Sequence, residues 1–422
     1  MNIGLIALLS LLVVVAIGFI KKANVGILAI AAAVILGYCS GKFSAKAIIS
    51  GFNASLFMTL LGVTYFFGVV QSNGCLEIFI KKIVNSFGKK IWIIPILMYV
   101  VGWVVAGVGP GCVPAMALVA TIGVPLAHQS GYNPVMLLMI GNIGTYSGRF
   151  TPLTPEGIVV STLLDKQNIH NISIPILINT IICSVILAIF VFFAFKGYKV
   201  KASVQSEAND VKTEKLTKNQ IITLVSILVM VSLVIFVKMD VGLASFLIAT
   251  ILVIFGVANE SEAFKKVPWR TLIMVTGVST LMKMVIDTGG IDILAKSMSK
   301  MMVPATAPAI AGLVAGCMNF FSSTIGVIFP TFVPTVGAIV KSVGGGVSAV
   351  SITSAIAIFA SFTGISPVSG GGAFVMAACK GDPQYSKEID ANKLFMKLFV
   401  WAFIFLVLLT IMALAGIFKI VG

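Results

Sequence analysis

Charge is scarce in this chain. Only 10% of its 422 residues are Asp, Glu, Lys or Arg, while 59% are hydrophobic. Soluble domains carry about 25% charged residues, and one folded core of this size cannot absorb so much apolar surface. A soluble enzyme is excluded, and so are disordered, collagenous and disulfide-scaffold chains. Histidine is nearly missing: His128 and His170 lie far apart, without ligand-like neighbours. The six cysteines (Cys39, Cys75, Cys112, Cys183, Cys317, Cys379) form no CxxC pair and mostly fall in apolar stretches, where they read as small packing residues. No metal site is visible. Arginine is reduced to Arg149 and Arg270. Also lacking is a basic region ahead of the first apolar run, because Lys21 and Lys22 follow it. That run therefore reads as a retained first span, entering with its N-terminus outside.

What is present is one apolar run of helix length after another. Full spans are expected near 3–20, 24–40, 53–73, 133–165, 172–195, 219–237, 241–257, 270–288, 347–379 and 394–418. The chain reads as an all-α polytopic membrane protein. Runs 133–165 and 347–379 are too long for one plain helix and are interrupted by Gly, Pro, Ser and Thr. Segments 91–126 and 304–341 carry breaks in their middles and read as re-entrant hairpins. The stretch Lys199 to Gln220 is polar and lies near the midpoint, as a linker between halves would. A net charge of +15 would suggest nucleic acid in a soluble protein. Here it reflects Lys-rich cytoplasmic loops, and no nucleic-acid partner is expected.

The halves repeat. Asn24-Val25-Gly26 matches Asp240-Val241-Gly242 at an offset of 216, and Gly62-Val63 matches Gly277-Val278 at 215. At 215, Gly74 to Ile78 matches Gly289 to Ile293; Pro114 matches Pro330 at 216. Thr151-Pro152-Leu153-Thr154 and Gly157 match Ser366-Pro367-Val368-Ser369 and Gly372 at 215. Each half then holds five spans, one of them broken, plus one hairpin. An odd number of spans inserts the second half upside down, the inverted-repeat plan of secondary transporters. With both termini outside, 19 Lys and Arg fall on the cytoplasmic side, the linker included, and 9 outside, in keeping with the positive-inside rule.

The chemistry concentrates at the breaks. In the stretch Gly141 to Gly157, four glycines and two prolines interrupt an apolar span, and the freed backbone groups need partners. A half-helix starting near Thr154, with Pro155 at its first position, would offer N–H groups to an anion. Arg149 falls within a span, where charge is costly and usually functional, and its guanidinium can clamp a carboxylate. Snorkelling, or a structural pair with Glu156, is the alternative. For Glu156, three roles stay open: facing the half-helix dipole, pairing with Arg149, or carrying a coupling cation. Candidate substrate-binding residues are Asn142, Thr145, Ser147, Arg149, Thr151 and Thr154 in the first break, and Thr363, Ser366 and Ser369 in the second. The first hairpin tip, Ala106 to Gly111, is almost without side chains. The second carries Asn319, Ser322, Ser323 and Thr324, oxygen donors that suit a hard cation, or that merely bond back to helix carbonyls. With Glu156 they are the candidate cation-coupling residues. Rings of like charge that would mark a channel, and any base, nucleophile or ligand constellation that would mark a membrane enzyme, are missing.

Asn24-Val25-Gly26, Gly51 to Phe57, Thr59 to Thr64 and Asn73-Gly74 resemble the N-terminal region of the malonate/dicarboxylate carrier (MatC-like) family over about the first third of the chain. The paired hairpins and paired broken helices resemble the wider ion-transporter superfamily that includes the divalent anion:sodium symporters. In those symporters, Ser-Asn-Thr tips bind substrate and sodium. Ser322-Ser323-Thr324 is a partial match and Gly107-Val108-Gly109 is not. The resemblance implies an elevator-type secondary transporter in the inner (plasma) membrane, a homodimer. It would take up a small dicarboxylate such as malonate, succinate or malate with a cation, Na+ or H+, and no further cofactor. The implied division is a first repeat over 1–198 (scaffold 1–73, transport part 91–165), a cytoplasmic linker over 199–218, and a second repeat over 219–422 (scaffold 219–288, transport part 304–379). The alternatives are the large membrane subunit of a binding-protein-dependent carboxylate transporter, or a carrier of another organic or inorganic anion.

Overall fold

The computed structural model describes the whole chain except residues 1–2, 22, 76–77, 79–90, 201–215, 321, 382–384, 386–389 and 422. Glu77, Phe321 and the middle of the polar linker thus lie outside the described residues, which are helical or irregular and contain no strand. In order the helices are α1 (Ile3–Lys21), α2 (Val25–Ser40), α3 (Ala45–Ser50), α4 (Ala54–Ser72), α5 (Ile94–Gly107), α6 (Cys112–Ser130), α7 (Pro134–Gly148), α8 (Pro155–Asp165) and α9 (Ser173–Ala194). After the linker come α10 (Lys218–Phe236), α11 (Val241–Ile254), α12 (Glu260–Lys266), α13 (Trp269–Asp287), α14 (Gly290–Ser299) and α15 (Ala307–Asn319). A single π turn, Thr324–Ile328, leads into α16 (Phe329–Phe332) and α17 (Val336–Val343), followed by α18 (Ala349–Phe362), α19 (Gly370–Gly381) and α20 (Ala391–Leu414). Among the described residues, six helical stretches are long and apolar enough to cross a bilayer: 45–72, 173–194, 269–287, 324–343, 349–380 and 391–414. Shorter apolar helices accompany them.

Short polar side chains set the helix starts. Asn24 accepts from the Gly26 amide ahead of α2, and Asp240 from the Leu243 amide ahead of α11. Thr217 and Gln220 form a reciprocal capping box at the start of α10. The spacing of these starts is regular: α1 and α10, α4 and α13, and α8 and α19 each begin 215 residues apart.

Glycines fix how the helices cross. α2 packs on α13 and α4 on α11. A Cβ on Gly26 would collide with the α13 backbone, and one on Gly277 with the backbone of Gly26. One on Gly62 would strike Gly242, and one on Gly242 would meet the backbone of Thr59. Close backbone approach through small residues is how apolar helices gain contact where burial from water cannot drive association. The same device joins α5 to α7. Gly141, Gly144 and Gly148 do not interrupt α7, contrary to the expectation from sequence. They lie in regular helix, where side chains at 144 and 148 would strike the backbone of Tyr99 and Trp103. The interruption is confined to Arg149–Thr154.

One large apolar cluster joins α5, α6, α7 and α9 to α18 and α20. A second joins α4, α8, α11 and α13 to α15 through α18, and a smaller third gathers α1, α2 and α13.

Candidate functional site

α7 ends at Gly148, the chain turns at Arg149, and α8 restarts behind Thr154. The Thr154 hydroxyl accepts from the Gly157 amide at 3.1 Å, and Pro155 takes the first helical position. That position tolerates proline because its N–H would be unpaired in any case. The break holds Arg149 and Glu156 side by side, each about 4% exposed. One Arg149 terminal nitrogen lies 3.3 Å from Glu156 Oε1. The other donates to Ser361 Oγ of α18, also at 3.3 Å. The rings of Phe150 and Phe329 each lie 5.8 Å from the guanidinium carbon. Arg149 Nε and Glu156 Oε2 are buried without a hydrogen-bond partner. Both charge contacts exceed the 2.7–2.9 Å usual for charged pairs, so the guanidinium keeps donor capacity for an anion.

Glu156 also reaches the first hairpin. Its Oε1 accepts from the Cys112 amide, the first of α6, at 3.1 Å. The tip turns at Gly111 with φ +79, and a Cβ there would lie 2.8 Å from Glu156 Oε2. Only glycine gives both this left-handed turn and the close approach of the carboxylate. The Thr151 hydroxyl donates to the Gly107 carbonyl at 2.6 Å, a second tie between break and tip.

The second break runs through Thr363–Ile365 to the start of α19 at Gly370. It adjoins the first: the Asn142 amide donates to the Gly371 carbonyl at 3.3 Å. Thr363 donates to Phe359 at 2.8 Å and accepts from the Asn319 amide at 3.3 Å. Thr324 donates to Asn319 Oδ1 at 2.7 Å, and its hydroxyl lies 3.1 Å from the Ala360 carbonyl. Ser323 caps the π turn through the Gly326 amide at 3.2 Å. π turns are rare and cluster at functional sites.

Between the breaks and the two hairpin tips lies a cavity of about 810 Å³. Of the residues singled out from sequence, Arg149, Glu156, Ser322, Ser323, Thr324 and Ser369 line it. Asn142, Thr145, Ser147, Thr151, Thr154, Asn319, Thr363 and Ser366 stand behind that lining. The Thr145 hydroxyl is occupied by the Gly141 carbonyl of its own helix. Asn142 Oδ1, Ser147 Oγ and Ser366 Oγ are buried and unpartnered, and such groups ask for an explanation. Sequence reasoning passed over Tyr146 and Arg270, which also line the cavity. The buried Tyr146 hydroxyl has no partner and faces Gly364 and Gly371. Its signal was its place one helical turn before Arg149; that of Arg270 was the rarity of arginine.

Residues 1–149 match the family described as dicarboxylate carrier protein MatC N-terminus. No curated protein matches the chain by sequence. Among solved structures, the Alcanivorax borkumensis YdaH transporter resembles it with a TM-score of 0.56 and 11% identity, over 87% of this chain and 86% of that one. At that identity the likeness is one of fold. Both similarities are to transport proteins and neither is to an enzyme. The chain is a helical membrane protein with a transporter's fold.

Proposed function

We propose that the protein is a secondary active transporter that moves a small dicarboxylate across the inner membrane, coupled to a sodium or proton gradient. The observation that carries this reading is Arg149: a guanidinium buried in a cavity between two helix breaks, with one nitrogen unpartnered and the others loosely held. The match of residues 1–149 to a dicarboxylate carrier family supports the substrate class. In this reading one carboxylate sits on Arg149 and Tyr146, the other reaches Ser369 and the open amides of the second break, and a cation lies near Ser322–Thr324.

The 215-residue spacing of helix starts supports two inverted halves. Elevator motion, with α5–α8 and α15–α19 moving against α1–α4 and α10–α13, and a homodimeric assembly, belong to the same proposal. The test is uptake of labelled malonate and succinate into proteoliposomes with sodium and proton gradients imposed separately. Accumulation driven by one gradient is the expected result. If neither gradient drives uptake of malonate or succinate, the reading is sunk.

A further inference from the structure

A second cavity, of about 470 Å³, lies at the far end of α13. Arg270, at the start of that helix, lines the first cavity, and Lys283, near its end, lines the second. Their separation of 13 positions corresponds to roughly 20 Å of helix. One wall of the second cavity is the α3–α4 corner, Ser50 to Ala54, with the last turns of α13. The other is the end of α8, through Lys166 and Gln167, with Pro330 and Pro334. The second wall is one unit. Gln167 donates to the Leu163 and Val333 carbonyls, both at 2.9 Å, and accepts from the Gly337 amide at 2.9 Å.

The charges in this cavity do not balance. Lys283 is paired with Asp287 at 2.9 Å. Lys166 has no ion-pair partner among the described residues, and the neighbouring Asp165 is engaged by His170 at 2.8 Å. Asn53 uses Oδ1 to cap α4, while its Nδ2 is buried with no acceptor. Two lysines and Asn53, with its orphan amide donor, thus line the cavity with one carboxylate, Asp287. Burial, and next the repulsion of Lys283, hold the Lys166 ammonium below the usual lysine range. Neutralisation by an anion would relieve that repulsion.

We propose that this cavity is a second anion site, which receives one carboxylate of a small dicarboxylate between Lys166 and Lys283 with the Asn53 amide donating to it. The proposal rests on the transport reading only for the choice of ligand. The test uses the full chain in lipid nanodiscs, malonate as the probe, and a limiting amine-acylating reagent whose product at each lysine is read by mass spectrometry. Saturating malonate should slow modification of Lys166 about threefold or more, while Lys238, outside the cavity, is unaffected. The same protection should appear in Arg149→Lys, which weakens the first site, and vanish in Lys283→Gln. The proposal is overturned if malonate leaves Lys166 unprotected in the native protein. Protection that survives Lys283→Gln unchanged, or that is lost in Arg149→Lys, overturns it equally. Uptake into proteoliposomes judges the transport reading separately.

Discussion

Arg149 can donate five hydrogen bonds, and two of its nitrogens contact the protein, each at 3.3 Å. Arg149→Lys keeps the charge that Glu156 needs and removes the planar fork. Dicarboxylate affinity, measured on purified folded protein, should fall by about 1.5–3 kcal/mol, one charged hydrogen bond. Near-normal binding would leave the guanidinium a structural role. Glu156→Gln tests the other side of the pair. The amide can still accept from Cys112, but it no longer competes with a substrate carboxylate for the guanidinium. Affinity should rise; a fall would mean that Glu156 orients Arg149 instead. Arg149 and Glu156 were legible because charge stands out in an apolar span, and the Thr154 cap because Thr-Pro-Glu is a helix-start pattern. Thr145, Thr151 and Thr363 show the limit. Their hydroxyls bond to the Gly141, Gly107 and Phe359 carbonyls, and sequence cannot separate a hydroxyl spent on backbone from one offered to a ligand. Tyr146 was passed over for a related reason: an aromatic ring in an apolar helix looks like packing.

At the scale of elements, helix positions followed from apolar run length and cap chemistry, so the expected spans fall within a few residues of the observed helices. The crossings did not, because a glycine that breaks a helix and one that admits a neighbour look alike in sequence. Gly62→Leu or Gly277→Leu should cost at least about 1–3 kcal/mol from forced overpacking, seen as a lower thermal midpoint in detergent. Gly370→Ala, where nothing lies within 4 Å of the added carbon, should leave the midpoint in place. The second hairpin carries its own test. Ser323→Ala removes the cap of the π turn, about 1 kcal/mol, and Thr324→Ala cuts the link to Asn319. If the coupling cation sits here, the double variant loses the cation dependence of uptake. Unchanged dependence would leave these hydroxyls as caps alone.

For the whole molecule, the lysine distribution and the length of α13 make a joint prediction. Cysteines placed at Arg270 and at Asp210 of the linker should react with an impermeant maleimide only from the cytoplasmic face. A cysteine at Lys283 should react only from the opposite face, in a background lacking the six native cysteines. Labelling of positions 270 and 283 from one side would contradict the orientation and bring the two cavities to the same face. Sequence could signal the 215-residue spacing of helix starts, through residues at one offset. It could not signal that the cavities share α13, since a cavity depends on what packing leaves unfilled.

The glycine crossings carry a consequence for how the chain is made. Gly26 rests on a helix whose contact residue, Gly277, is 251 positions later in the chain. At about 5–20 residues per second, a ribosome needs roughly 13–50 s to deliver it. Through that interval the Gly26 face of α2 waits for α13, and the Gly62 face of α4 waits for Gly242 of α11, 180 positions later. For these two crossings neither half supplies both partners, so an early truncation leaves the glycine faces of α2 and α4 uncovered. By the same geometry, two polypeptides divided within residues 201–215 and translated together should find each other in the bilayer.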